Sequence, residues 1–312
     1  MEDNKNNADT KYQNQKFLQL KDFLESKNIK FIEYEKLAFH TSVGVGGRAR
    51  FFVVVKTQKQ LVDLLCYIHQ NEIKYHILGN GTNTLASDKL YIGVVISTKN
   101  LKRMVLSNGG IYTQCGLGLF EFCKILKENC YEGLEFLYGI PGTIGGAVVM
   151  NAGAFGREIG DYIEYVSVYH NGKVKKLSKH QLNFSYRNSI FQYSDLVVLG
   201  AKFTLKKGSC EKISQMQQNY FKQKLDEQPY NFPSFGSAFK RCQNVPVGKL
   251  IDELGLKGYT IGGAQISKKH AGFIINIGNA TCQDFVKMIK YVQKKVFDAY
   301  GIKIEPEVKF LE

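Results

Sequence analysis

The sequence predicts an α+β chain divided into more than one domain, and three stretches carry that prediction. Residues 51–97 read as strand, helix, strand, loop and strand; residues 162–205 are dominated by strand signals; residues 285–296 show one apolar helical face inside a region that mixes helix and strand. The 312 residues leave room for two or three domains at about 100–200 residues each.

Taken in order, the chain begins with a polar leader, MEDNKNNADTKYQNQK (1–16), expected to be disordered and lacking the apolar core of a secretory signal. Phe17, Leu20, Phe23 and Leu24 then recur at helical spacing. FFVVV (51–55) is β-branched and aromatic, so it reads as a buried strand. Leu61, Leu64, Leu65 and Ile68 mark a helix; Tyr75–Leu78 is a strand running into the turn GNGTN, and YIGVVIS (91–97) is another strand. Residues 101–115 form a hairpin broken at Asn108-Gly109-Gly110. Leu119, Phe122, Cys123 and Leu126 give a further helix. Strands fill Tyr162 to Leu205, and a domain boundary is expected near 205. A helix around 211–225 leads to a polar loop at Gln228–Phe235. Phe285, Met288, Ile289, Val292 and Val296 repeat at i, i+3, i+4, i+7 and i+11, with Thr281 placed as N-cap and Gly301 as the stop. Val308–Leu311 closes the chain as a strand.

Composition narrows the function classes. Apolar residues make up 44%, yet no apolar run approaches the ~20 residues of a membrane span. Net charge is +14, from 42 Lys and Arg against 28 Asp and Glu, which favours polyanionic partners. The lysines are scattered apart from short clusters such as Lys173, Lys175, Lys176 and Lys179, so a solvated surface is preferred to nucleic-acid binding. The expectation is no nucleic acid and no membrane. Seven cysteines, an odd number with no CxxC pair, argue against a disulfide framework and against zinc. Reduced thiols in the cytoplasm are expected. The six histidines show no metal-ligand spacing, so no metal is expected.

The stretch 139–156, GIPGTIGGAVVMNAGAFG, holds six glycines and no charge. Linkers are usually polar, whereas Ile140, Ile144, Val148, Val149, Met150 and Phe155 require burial. Glycine exposes backbone N–H groups that cradle an anion or a flat ring. GVGG (Gly44–Gly47) and GNGTN (Gly79–Asn83) add two smaller loops. Neither matches a dinucleotide fingerprint or a P-loop, and hairpin turns also use Gly and Asn. Three such loops together favour a large cofactor with a diphosphate. Arg187, in SYRNS, offers a planar fork for carboxylate or phosphate, though closing a surface turn is its commoner use. Ser237 follows Gly236 as a proton donor or an N-cap, the latter being more common. Glu307 precedes the last strand, where a glutamate usually faces water and becomes catalytic only in a cleft that raises its pKa. His270, in KKHAGFIIN, is an anion contact or a structural histidine at a strand edge.

These pieces occur together in one family. The succession TSVGVGGRA, LGNGTNTLASD, GLEFLYGIPGTIGGAVVMNAGAFGREI, FSYRNSIF, PSFGSAFKR, LIDELGLKGYTIGGAQISKKHAGFIIN and EPEVKF resembles UDP-N-acetylenolpyruvoylglucosamine reductase over roughly residues 35–312. The resemblance implies the FAD-binding PCMH-type fold of the vanillyl-alcohol oxidase group. Two FAD-binding subdomains (17–98 and 99–205) then precede a C-terminal α/β substrate domain (206–312). It further implies a monomer that reduces FAD with NADPH, then reduces UDP-N-acetylglucosamine enolpyruvate at the same site to make a peptidoglycan precursor.

Residue roles also follow from the resemblance. Arg187 stabilises an enolate, Glu307 acts as a protonated hydrogen-bond donor, and Ser237 gives a proton to the α-carbon. FAD falls to Gly44, Gly46 and Gly47, to Gly79, Asn80, Gly81, Thr82 and Asn83, to Gly139, Ile140, Pro141, Gly142, Thr143, Gly145 and Gly146, and to Asn151. Tyr186, Arg241, His270 and Lys224 fall to the substrate, Lys224 standing where relatives usually carry paired arginines. The interval between FSYRNSIF and PSFGSAF lacks a tyrosine-bearing insertion, which resembles the shorter subclass. An FAD-linked oxidase of the same fold, acting on a small alcohol or acid, is the alternative enzyme. A non-enzymatic nucleic-acid binder is the alternative suggested by charge.

Overall fold

Helical spacing of Phe17, Leu20 and Leu24 produces the first element, α1 (15–26), whose apolar side chains are buried against the first sheet. The computed structural model describes residues 15–107, 110–242 and 245–312. The expected leader thus lies outside the described residues except for 15 and 16, which belong to α1, and so do Asn108 and Gly109 of the hairpin break.

The first sheet joins β1 (Lys30–Lys36), β2 (Arg48–Val54), β3 (Tyr75–Leu78) and β5 (Tyr91–Ser97) in the order β1-β2-β5-β3. β1 runs antiparallel to β2, whereas β2 and β3 run parallel to β5. The crossover is α2 (Gln58–Gln70), capped by Thr57, whose hydroxyl accepts from the Gln60 N–H, and burying Leu61, Leu64, Leu65 and Ile68 as their spacing predicts. β4 (Thr84–Ala86) leaves this sheet and pairs in parallel with the final strand β19 (Lys309–Leu311).

The second unit is a five-stranded antiparallel sheet of β6 (Met104–Ser107), β7 (Gly110–Gln114), β11 (Ile163–His170), β12 (Lys173–Ser178) and β13 (Val197–Phe203), ordered β12-β11-β13-β7-β6. Helices α3 (Leu119–Glu128) and α4 (Ile144–Val149) lie within its connections, with the short pair β9 (Gly153–Ala154) and β10 (Arg157–Glu158). One continuous apolar cluster runs from Phe17 to Phe203, so the first two units share a core.

Helix α5 (Cys210–Glu227) follows β14 (Lys206–Lys207), which pairs with β8 (Tyr131–Glu132). It packs on the second unit: Gln217 Nε2 donates to the Cys123 carbonyl at 2.9 Å, and Lys224 Nζ donates to Phe136 and Tyr138 carbonyls at 3.1 Å each. Cys130 and Cys210 form a disulfide, Cα–Cα 4.6 Å, between the turn after α3 and the start of α5. The expectation of reduced thiols throughout is corrected here. An odd count leaves room for one pair, and the 80-residue separation hid it.

The third unit pairs β15 (Ser234–Ser237), β18 (Phe273–Asn276), β17 (Ala264–Ile266) and β16 (Thr260–Ile261) in that order, all antiparallel. Helices α6 (Val247–Glu253) and α7 (Cys282–Tyr300) cover it. α7 has a capping box between Thr281 and Asp284, ends at left-handed Gly301, and buries the five predicted residues from Phe285 to Val296. This core includes Val43, Val45 and Leu85 from the first unit, so the third unit is seated on it. Among the described residues no helix is long and apolar enough to cross a membrane.

Candidate active site

The three glycine loops meet. Gly81 adopts φ +63°, and a Cβ there would lie 2.1 Å from the His40 carbonyl oxygen. Only glycine fits that approach without a shift. The Ser42 N–H donates to the Gly81 carbonyl at 3.1 Å, tying 41–47 to 79–83. Asn80 Nδ2 donates to the Gly142 carbonyl at 3.2 Å and Thr82 Oγ1 to the Pro141 carbonyl at 3.0 Å, tying 79–83 to 139–146. A Cβ on Gly79 would come within 2.5 Å of Thr143 Oγ1, so these loops are in direct contact. Gly44 is open, with only Asn276 Nδ2 at 3.7 Å, whereas Gly46 and Gly47 pack on Ala86 and the Asp88 carbonyl and serve the fold of the loop. Gly139 is fixed from outside by Tyr230, whose hydroxyl donates to its carbonyl at 2.7 Å. The Gly145 N–H donates to the Cys115 carbonyl at 2.7 Å, and the Gly146 N–H to the capping hydroxyl of Thr143 at 3.4 Å.

A flavin dinucleotide needs N–H donors for its diphosphate. Among the described residues the N–H groups of Asn80, Gly81 and Thr82 have no protein acceptor. Three successive N–H groups without a protein acceptor, the middle one on left-handed Gly81, are donors of the type that bind anions. The residues present therefore fit FAD. Asn151 stands apart. It is fully buried; its Nδ2 donates to Glu158 Oε2 at 2.6 Å and the Ser185 carbonyl at 3.0 Å, and its Oδ1 accepts from the Gly160 N–H at 3.0 Å. It anchors the Ser185–Arg187 turn.

Against these loops the structure assembles Arg187, Glu307 and the strand of Ser237. Arg187 sits at φ +52° in a turn closed by reciprocal bonds between Ser185 and Asn188, 3.2 and 3.0 Å. Its Nε donates to Glu307 Oε1 at 2.9 Å and its Nη2 to the Gly153 carbonyl at 2.8 Å. Glu307 is delivered by the approach to β19: Asn83 Nδ2 donates to its carbonyl at 3.2 Å, and its own N–H donates to the Ala238 carbonyl at 2.9 Å. Burial pushes the Glu307 carboxyl above its ordinary pKa, against the opposing pull of Arg187, Lys240 and Lys309. Ser237 precedes Ala238 on β15, is exposed, and its hydroxyl makes no hydrogen bond among the described residues.

The expected substrate residues separate into two groups. Tyr186 lies beside Arg187, its ring 5.0 Å from the guanidinium, and its hydroxyl accepts from the Arg241 N–H at 3.3 Å. His270 lies by Gly272, whose N–H donates to His270 Nδ1 at 3.0 Å and whose carbonyl accepts from Ala238. Burial lowers its pKa, favouring neutral imidazole. Lys224 is buried beneath 136–139, where loss of water lowers its pKa to about 8, so it supports the long glycine loop from below. Gln192 and Lys309 escaped the sequence reading; only the closeness of Lys309 to Glu307 in EPEVKF hinted at either.

Comparison with known proteins identifies the family. Residues 49–178 match the FAD binding domain, and residues 228–311 match the C-terminal domain of UDP-N-acetylenolpyruvoylglucosamine reductase. The UDP-N-acetylenolpyruvoylglucosamine reductase of Caldanaerobacter subterraneus subsp. tengcongensis is 41% identical over 278 residues, covering 89% of this chain and 92% of the relative. That of a Thermotoga species is 42% identical over 277 residues, covering 88% and 92%. The crystal structure of the Thermus caldophilus enzyme superposes with a TM-score of 0.78 at 30% identity, covering 91% of this chain and 99% of that one. The chain belongs to the UDP-N-acetylenolpyruvoylglucosamine reductase family.

Proposed function

We propose that the chain reduces the carbon–carbon double bond of UDP-N-acetylglucosamine enolpyruvate, drawing its electrons from NADPH through FAD. FAD supplies a hydride carrier that one substrate fills and the other empties. The protein holds that carrier with the donors of Asn80–Thr82 and the walls at 41–47 and 139–146. Reduction of the double bond builds negative charge on the pyruvyl carboxylate, and groups placed beforehand where charge grows are the largest source of catalysis in such sites. Arg187 supplies a fixed cation. Glu307, held toward its protonated form by burial, supplies a hydrogen bond. Ser237, with its hydroxyl unclaimed, supplies the proton to the α-carbon. Tyr186, Arg241 and His270 line the approach of the nucleotide sugar.

The observation that carries this reading is the 2.9 Å contact between Arg187 and Glu307, 120 residues apart in sequence, beside the strand of Ser237 and the flavin loops. Ser237→Ala tests it. Under anaerobic conditions flavin bleaching by NADPH proceeds as in the wild type, whereas colour return on adding the enolpyruvyl sugar slows by on the order of 10²–10³. Equal loss in both steps removes Ser237 as the proton donor.

A further inference from the structure

Arg187 has an awkward backbone. At φ +52° a non-glycine residue occupies a sparsely populated region and stays there only when its surroundings insist. The turn bonds between Ser185 and Asn188 fix its flanks. The Arg187 carbonyl itself is fixed by one side chain: Gln192 Nε2 donates to it at 3.0 Å. The same nitrogen donates to the Val149 carbonyl at 3.1 Å, at the end of α4 beyond the long glycine loop. At the other end of the amide, Gln192 Oε1 accepts from Lys309 Nζ at 2.6 Å. Lys309 opens β19, two residues beyond Glu307. One amide therefore spans the turn of Arg187, the end of the flavin loop and the strand that delivers Glu307.

We propose that Gln192, bonded to Lys309, is a positioning residue that sets the guanidinium of Arg187 against the carboxyl of Glu307 and registers both to the flavin loop. This rests on the roles given above to Arg187 and Glu307. Neither Gln192 nor Lys309 touches the reacting atoms in this account. They act by fixing two charged groups supplied from distant parts of the chain, and a misplacement of 1 Å in such groups costs on the order of 10²-fold in rate. A purely architectural role would affect both steps of the reaction alike; a positioning role affects only the step in which charge develops on the substrate.

The test uses the FAD-loaded full chain under anaerobic conditions, with Gln192→Met, Lys309→Met and the double variant compared with wild type and Arg187→Lys. Flavin content and the rate of bleaching by NADPH stay at wild-type values in both single variants. The limiting rate of colour return at saturating enolpyruvyl sugar falls by roughly 10–100-fold. The double variant falls no further than the worse single variant, because both break one shared bridge, and Lys309→Arg restores most of the rate. The proposal is overturned if the second step is unchanged while Arg187→Lys slows it. It is also overturned if the two single effects multiply, or if flavin content and both steps decline together. If Arg187→Lys itself leaves the second step untouched, the underlying role of Arg187 fails, and the proposal with it.

Discussion

Glu307 stands between two opposed influences. Burial favours its neutral form; Arg187, Lys240 and Lys309 favour its charged form, and burial prevails. A raised carboxyl pKa means that the protonated form is present at low pH and is lost as pH rises through the folded value. If Glu307 donates a hydrogen bond to the developing charge, the sugar-dependent return of flavin colour falls on the alkaline side. Glu307→Gln keeps a donor that does not titrate, so its profile loses that alkaline limb, whatever its absolute rate. A limb unchanged in Glu307→Gln assigns the titration to another group. At this scale the sequence identifies chemistry through motif context: Arg187, Ser237 and Glu307 come from three separated segments and were assigned together only by resemblance. Gln192 escaped notice because its importance lies in three partners at positions 149, 187 and 309, which no local pattern joins. Asn151, assigned to FAD by resemblance, shows a structural use that no local pattern predicts: its buried amide makes three hydrogen bonds, to Glu158, the Ser185 carbonyl and the Gly160 N–H.

The elements that were legible are those whose burial is periodic. α2 and α7 bury the very residues their spacing selects, and Thr281 and Gly301 bound α7 as predicted. α5 was legible as a helix but not in its placement. Its seated face mixes apolar and polar residues: Ile213, Tyr220 and Phe221 pack beside Gln217 and Lys224, and the Cys130–Cys210 bond pins its start, so the sequence pattern alone does not show where it docks. Pairing of cysteines 80 residues apart is a tertiary fact with no local signature. The bond closes a long loop, so it stabilises by restricting the unfolded chain, typically by about 2–4 kcal/mol. Denaturant unfolding with and without a reducing agent should differ by that amount, and Cys130→Ser should melt at the reduced midpoint under both conditions. Thiol titration of the unfolded, unreduced chain should find five reactive cysteines of the seven; a count of seven would remove the bond.

For the whole molecule, the loops proposed to hold the flavin meet where the units touch. Loop 41–47 contributes apolar residues to the core of the third unit; loop 79–83 lies against both 41–47 and 139–146; and the last strand returns to pair with β4, directly after loop 79–83. A ligand gripped by all these loops stabilises every unit together. At a free FAD concentration 100-fold above its dissociation constant, mass action adds about 2.7 kcal/mol to the folded state. The melting temperature of flavin-stripped protein should therefore climb with added FAD in a single cooperative transition. Gly81→Ala is the decisive comparison. Its new methyl meets the His40 carbonyl at a backbone angle that side chains rarely adopt, so the turn must open and the N–H donors of Asn80–Thr82 are displaced. Unliganded Gly81→Ala should keep the wild-type far-ultraviolet dichroism, yet the FAD-dependent rise in melting temperature should shrink or vanish. A rise as large as that of the wild type would place the diphosphate elsewhere and remove loop 79–83 from the site.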